Sequence, residues 1–513
     1  MFCVFFSNMF KINCEMKDLN AKGVIMKAFD QFRVKSCIDF KPWDAEEYYI
    51  EIQKLDGCWS YVGRFFANGQ NLSIGAGCDN LATVEHEILH ALGFYHEQSR
   101  YDRDDYVQIA LENVITGHEN NFIKVGSNES ITHGVPYDYM SVMHYSKDAF
   151  TNGNGSTIIT TDPQFQQVIG QKLGMSPRDA EELNLLYNCS KYLQFKTNWN
   201  CAVHTAANFN VTCLFIPEDQ KKGYFIHTST ASGQEGDTTQ LKSDIMRPGR
   251  KCNVQCLQFY YFHTGNESDK LNIWIREFQD QQDTTGTLRC MGQLTGPPTS
   301  HWKIHHVSLD ATELFQVVFE VQKGAGSSTG GFSIDDINLS ETECPHLTWQ
   351  VDDFENLLNT SDWGTRMYSP RQYSREGYAY RVAVILYQTY FGMFLQLLSG
   401  EYDDQLEWPC LQKQITFQLL DQSSNMQLQM SKQMSFTTNE NDMTSNGILI
   451  WNNPRENGTR LFTESNELFN YLSILYQIDL TPLVNGTTLP CPQVRQHGAH
   501  LPTNMSESPC VPR

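Results

Sequence analysis

The 513-residue chain has no run of basic residues and no Lys/Arg-rich helix. Its 38 Lys and Arg stand against 59 Asp and Glu, a formal charge of −21. A polyanion is repelled by phosphate backbones and by anionic lipid surfaces, so no nucleic-acid partner is expected. The chain also lacks any C-x-x-C pair, although it holds 15 cysteines. A cysteine-built metal cage therefore has no support, and disulfides in an oxidising compartment are the expected use. Long apolar runs are missing too. Val382 to Leu398 is free of charge, but it has two Gln and a Gly and is rich in β-branched and aromatic residues. It reads as a pair of buried strands rather than a membrane helix. Finally, no positive segment precedes the apolar stretch Met1 to Phe10, so it is not read as a signal peptide.

What is present is a globular composition, 40% hydrophobic and 19% charged, in a chain too long for one core. Eleven N-x-S/T sequons, at Asn71, Asn128, Asn154, Asn188, Asn210, Asn266, Asn338, Asn359, Asn457, Asn485 and Asn504, join the cysteines in favouring the secretory pathway. The expected location is therefore extracellular, secreted or at the cell surface.

One stretch carries chemistry. Residues 86–96 read H-E-x-x-H-x-x-G-x-x-H. His86 and His90, four apart on a helix, share one face and can reach one metal ion. Glu87 beside them is placed to hold a water and move its proton. Gly93 is suited to leave the helix with a positive φ, turning His96 towards the same ion. A bare H-E-x-x-H arises by chance; the longer spacing is the metzincin signature and requires a methionine turn downstream. Ser141-Val142-Met143-His144-Tyr145 supplies it. Met143 alone would read as core filler.

The continuation Gly93 to Arg100, followed by Asp102-Arg103-Asp104, resembles the astacin family of zinc proteases. The resemblance implies one Zn2+ held by His86, His90 and His96, Glu87 as general base, and Tyr145 as a zinc ligand that swings to the oxyanion. It makes Glu97 a supporting residue. It also implies disulfides Cys37–Cys189 and Cys58–Cys78. Asp102, Asp104 and Asp105 beside Arg100 and Arg103 read as a structural ion network. His133 is expected at the surface, and His144 in a structural hydrogen bond.

Apolar spacing in Leu19 to Lys35 predicts an amphipathic helix. Short strands are expected at 38–40 and 48–52, with 71–74 as an edge strand before the zinc helix. No first strand is recognisable before the helix, the resemblance starts near Lys17, and a truncated or misassembled start, or an isoform lacking that strand, is the expectation. Beyond Ser190 come alternating strands that predict a β-sandwich. Gly330 to Ile337 resembles the closing strand of a MAM domain, with Cys256–Cys344 and Cys201–Cys213 as its implied bridges. Leu347 to Val351, Gly377 to Tyr380 and Asp403 to Pro409 resemble a MATH (TRAF-like) domain. The order protease, MAM, MATH is similar to that of the meprins.

The expected architecture is thus multidomain α+β. It comprises a metzincin-type zinc protease domain at 1–190 with about the first 16 residues atypical, a MAM-like sandwich at 191–345, a MATH-like sandwich at 346–480 and a disordered tail at 481–513. The expected function is zinc-dependent endopeptidase action on extracellular proteins and peptides, with homo- or hetero-oligomers forming through the MAM and MATH modules. Similarity to beta-type meprins implies a preference for acidic residues beside the scissile bond. Lys172 stands where those proteins carry an arginine; it keeps the charge but loses the planar fork, so a weaker preference is expected, with His118 a poorer contributor. The competing reading is a catalytically inactive binding protein acting through its MAM and MATH modules.

Overall fold

The computed structural model describes residues 7–12, 19–43, 45–189, 200–202, 225–248, 254–280, 282–387, 390–423, 426–444, 447–462 and 468–479. Its chain forms two compact units. The first joins Met1–Leu193 to Asp362–Pro492, and the second joins Gln194–Ser361 to Gln493–Arg513.

In the first unit, a five-stranded sheet has the order β2-β1-β3-β5-β4. The strands are β1 (Ser7–Ile12), β2 (Asp39–Pro42), β3 (Ile50–Gln53), β4 (Cys58–Ser60) and β5 (Gln70–Ile74). All neighbours run parallel except β4, which pairs antiparallel with β5. Two expectations are corrected here. A strand does precede the first helix: Ser7–Ile12 lies between β2 and β3. It was illegible because its six residues alternate poorly and its partners lie about thirty to forty residues downstream. The stretch at 71–74 is not an edge strand but an interior one; the edge is β4, whose Gly57-Cys58-Trp59-Ser60 reads as a turn.

Helix α1 (Leu19–Lys35) buries Val24, Ile25, Ala28, Phe29 and Phe32, the apolar stripe its spacing predicts. Phe29 stacks on Phe40 of β2 at 4.2 Å between ring centroids. Helix α2 (Leu81–Ala91) starts at Asn80, whose side chain accepts the Thr83 N–H at 3.0 Å. Such a cap stabilises a helix by roughly 1 kcal/mol. Cys58 and Cys78 are bridged just ahead of it, and Cys37, just after α1, is bridged to Cys189. A two-stranded sheet of β6 (Val107–Ile109) and β7 (Ile158–Thr160) and helix α3 (Pro177–Leu186) complete this part.

The same unit carries an antiparallel sheet with β19 (Ala379–Leu386) and β20 (Tyr390–Leu398) adjacent at its centre. These are the paired strands expected of the uncharged stretch from Val382 to Leu398. A separate hairpin, β21 (Gln414–Leu419) with β22 (Lys432–Thr437), packs on α1. There the Gln414 amide donates to the Asn20 carbonyl at 3.3 Å.

The second unit is two antiparallel sheets, ordered β13-β12-β15-β10-β8 and β14-β11-β16-β9. Its strands are β8 (Asn200–Ala202), β9 (Ile226–Ser229), β10 (Thr238–Lys242), β11 (Cys256–His263), β12 (Lys270–Phe278), β13 (Thr287–Leu294), β14 (Lys303–Ser308), β15 (Leu314–Gln322) and β16 (Gly331–Ser340). Phe259, Ile273, Phe319 and Phe332 fill the space between them. Cys256–Cys344 closes this unit. Cys213 lies outside the described residues, as does the 481–513 tail. Cys290 is also disulfide-bonded, which the sequence reading left unassigned. Among the described residues, no helix is long and apolar enough to cross a membrane.

Candidate metal centre

Helix α2 ends as glycine geometry requires. Gly93 has φ 109°, its N–H donates to His90 O at 2.9 Å, and the Phe94 N–H reaches Leu89 O at 3.0 Å. This left-handed closure reverses the chain and returns His96 to the helix face. The Nε2 atom of His96 lies 3.2 Å from that of His90 and 3.3 Å from that of His86. Among the described residues these three form the one cluster of His, Cys, Asp and Glu groups able to hold a metal ion.

The partners on the other ring nitrogens fix the chemistry. His86 Nδ1 faces Val142 O and His90 Nδ1 faces Phe94 O, each at 2.8 Å. A carbonyl oxygen only accepts, so both Nδ1 atoms carry the proton and both Nε2 atoms present lone pairs. Burial lowers the pKa of all three rings, that of His86 to about 3. Neutral imidazoles with converging lone pairs repel one another unless a cation lies between them. The donor set fits zinc.

Glu87 is 5% exposed, and its buried Oε2 has no hydrogen-bond partner. Burial pushes its pKa up to about 8, with Lys172 opposing. A buried carboxylate oxygen left without a donor beside three imidazoles fits a site completed by a cation and water. Lys172 remains accessible; the packing around it lowers its pKa and the charge of Glu87 resists. The Tyr145 ring lies 4.4 Å from that of His96, and burial pushes its phenol up to about 12, so it is a donor at neutral pH.

The methionine turn is the floor of this cluster. Its Val142 carbonyl orients His86, and Met143, 1% exposed, accepts the Glu97 N–H at 3.1 Å. Glu97 Oε1 accepts the Asp138 N–H at 2.7 Å and Arg100 Nη1 at 3.2 Å. Burial nonetheless pushes Glu97 up to about 8. The acidic stretch is an ion network: Arg100 pairs with Asp102, and Arg103 and Lys124 with Asp104. Asp105 makes no side-chain pair among those described. His144 is buried between Tyr137 Oη at 2.8 Å and Tyr145 O at 2.7 Å. His133 is half-buried rather than exposed, with φ 51°. His118 is exposed and stacks on Phe150.

Sequence reasoning missed the clamp on the turn. Asp179 takes Ser141 Oγ at 2.6 Å on one oxygen, and the Val142 and Ser176 N–H groups at 2.9 and 2.8 Å on the other. Ser176 Oγ in turn donates to Asp138 Oδ2 at 2.6 Å. Burial, with Asp138 nearby, pushes Asp179 up to about 6. A signal existed: Ser176-Pro177-Arg178-Asp179 is a capping box with proline at the first helical position. It announces α3, but not that the same carboxylate reaches back to the turn. Gln98, whose Oε1 accepts the Tyr145 N–H at 3.0 Å, had no signal.

Residues 8–188 match the family model described as astacin, a peptidase family. Residues 191–345 match the MAM domain (meprin/A5/mu) and 346–473 the MATH domain. Meprin A subunit beta of Homo sapiens is 44% identical over 463 residues, covering 86% of this chain and 65% of that protein. Meprin A subunit alpha of Rattus norvegicus is 40% identical over 475 residues, covering 86% and 62%. The chain thus spans less than two thirds of those relatives' length. Among solved structures, high choriolytic enzyme 1, a hatching enzyme zinc-protease from Oryzias latipes, is 38% identical, with a TM-score of 0.34, over 36% of this chain and 90% of that one. Residues 8–188 thus form an astacin peptidase domain, MAM and MATH domains follow it, and over 86% of its length the chain is similar to the meprins.

Proposed function

We propose that this chain is a zinc-dependent endopeptidase. The observation that carries the reading is the convergence of three neutral Nε2 atoms, 3.2 and 3.3 Å apart, with the unpartnered oxygen of Glu87 buried beside them. His86, His90 and His96 would hold the ion, with Tyr145 as a further ligand. Zinc there supplies Lewis acidity, polarising the peptide carbonyl and acidifying water to a pKa of about 7. Glu87 takes the proton of the attacking water and passes it to the leaving amine. Tyr145 Oη, protonated, donates to the oxyanion that develops on the carbonyl. Val142 O and Phe94 O hold the rings in the tautomer that leaves Nε2 free.

Lys172 provides the positive charge for acidic side chains near the scissile bond. As a point charge it confers a weaker preference than a guanidinium. The three disulfides Cys37–Cys189, Cys58–Cys78 and Cys256–Cys344 support action in an oxidising, extracellular setting. Protein and peptide substrates follow from the chemistry; association through the MAM and MATH domains is part of the same reading, supported by relatives that are named as subunits. Glu87 argues against the inactive binding reading, because a purely structural zinc site has no use for it.

The test is expression in a secretory host, followed by zinc analysis and casein cleavage. Wild type is expected to bind one zinc and cleave, and Glu87→Ala to keep the zinc and lose cleavage. A folded, zinc-loaded wild type that cleaves nothing would establish the binding reading instead. Enrichment of Asp or Glu after the cut in a peptide library tests Lys172, and its absence would sink the acidic preference.

A further inference from the structure

The segment from Gly170 to Ser176 carries Lys172 and is pinned along its length. Gly170 packs on Ser146, the residue after Tyr145; a Cβ on it would fall 2.4 Å from Ser146 Cα. Gln171 staples the segment to itself and to the methionine turn. Its Nε2 donates to Gly174 O at 2.8 Å and to Met140 O at 2.7 Å, and its Oε1 accepts the Leu173 N–H at 2.6 Å. Lys172, between these fixed points, is exposed, and its charge bears on both Glu87 and His86.

The far end of the segment is held by two buried charges that the metal site does not use. Lys35, the last residue of α1, is 3% exposed, and Glu85, beside His86 on α2, is 1% exposed. Both reach the backbone of Met175. The Lys35 ammonium donates to Met175 O at 2.7 Å, and Glu85 Oε2 accepts the Met175 N–H at 2.5 Å. Gly174 lies so close that a Cβ on it would fall 2.7 Å from the same carboxylate oxygen. The other oxygen, Oε1, is buried with no hydrogen-bond partner. A well-packed apolar pair of similar volume often stabilises a core as well as a buried lysine and glutamate do. Stability alone therefore does not account for this pair. What it supplies, and an apolar pair cannot, is a fixed direction for the two peptide groups that flank Met175.

We propose that Lys35 and Glu85 are positioning residues for Lys172: by holding both peptide groups of Met175, they fix the segment so that the Lys172 ammonium stands where an acidic substrate side chain meets it. The inference rests on the endopeptidase reading, with Lys172 as its source of charge. A lysine is a point charge on a flexible stem, so its selectivity depends on where its backbone is anchored. Lys35 and Glu85 are themselves buried and act through that backbone. An anchor set before substrate arrives reduces the ordering cost of binding.

The test uses the zinc-loaded full chain and two internally quenched peptides that differ only in Asp or Asn beside the cut. Wild type is expected to favour the Asp peptide by about fivefold in kcat/KM, mostly through KM, as a partly exposed ion pair allows. Lys35→Met with Glu85→Met removes both charges together at similar volume. It brings that ratio close to one by raising KM for the Asp peptide, with zinc content and cleavage of the Asn peptide unchanged. Glu85→Gln, whose amide oxygen can still accept the Met175 N–H, retains most of the ratio. In a Lys172→Met background the methionine pair changes the ratio no further. A folded methionine pair that keeps the wild-type ratio, or that weakens both peptides equally, overturns the proposal. So does a further fall of the ratio in the Lys172→Met background. If the methionine pair does not fold, Gly174→Ala crowds Glu85 from the other side; the same fall in the ratio is expected, and an unchanged ratio overturns the proposal. Cleavage by wild type without preference leaves the endopeptidase reading intact and removes the positioning role. If wild type cleaves neither peptide, that reading fails, and binding of uncleavable versions decides. A preference for Asp that Gly174→Ala loses supports the positioning role, and equal binding overturns it.

Discussion

At the scale of single residues, the centre depends on groups that touch no ion. Asp179 satisfies three donors inside a closed turn. Asp179→Asn replaces one acceptor oxygen with an amide that faces those donors. We expect a loss of roughly 1–3 kcal/mol, because buried donors then lack acceptors, together with weaker zinc binding as Val142 O shifts from His86. Chemical denaturation and competition with a zinc chelator measure the two effects; an unchanged midpoint would remove the clamp from this account. Gly93 is the second such residue. Its φ of 109° lies outside the regions open to other side chains, although a Cβ there would meet nothing nearer than Leu186 at 3.8 Å. The obstacle to Gly93→Ala is therefore backbone strain, not crowding. Its expected signature is lost zinc affinity through a displaced His96, with an otherwise intact helix; unchanged affinity would contradict this.

At the scale of elements, much was legible and some was not. Helix α1 declared itself by its apolar spacing, and β19 and β20 by a charge-free stretch rich in branched and aromatic residues. Strand β1 did not, since parallel pairing is set by distant partners rather than local pattern. The stretch Gly57 to Ser60 reads as turn-rich, yet it carries the edge strand β4. The bridge Cys58–Cys78 closes this element over 20 residues of sequence. Replacing both cysteines with serine should destabilise the part that holds the three histidines by roughly 2–4 kcal/mol, a loss visible in its melting transition. In the second unit, Asp269 is buried at the head of β12, where it accepts the hydroxyl of Thr230 and the N–H groups of Asn266 and Gly324. Burial raises its pKa, but those bonds outweigh it and hold it below the ordinary 3.8. The folded state thus favours the ionised form, so this contribution is full above the ordinary value and disappears as pH falls through the lowered one. An acid titration of the second unit's stability should show that loss, and Asp269→Asn should flatten it.

At the scale of the whole molecule, each compact unit has its own core, so metal binding should stabilise only the one that holds the histidines. Chelation is expected to lower one calorimetric transition and leave the other in place, by about 4 kcal/mol where zinc stood at a thousand times its Kd. Displacement of both transitions would argue against separate cores. Within the first unit, hairpin β21–β22 approaches α1 so closely that a Cβ on Gly23 would fall 1.7 Å from the Gln414 amide. That amide is the free end of a flexible side chain and can swing away. Gly23→Ala should therefore gain helix propensity of up to about 1 kcal/mol, a result that denaturation can check.

The sequence by itself determined the three clustered histidines, the glutamate beside the first of them and the order of domains. Those features are local: a helix fixes which residues share a face within one turn, and Gly93 fixes the turn that follows. The tertiary structure decided what holds them. The Asp179 clamp joins residues 37 and 38 positions apart, and Gln70 locks a loop that Gly63 ties to His90. Such contacts follow from burial, which forces each polar group to find a partner wherever the folded chain brings one, and no spacing along the sequence announces which partner that is.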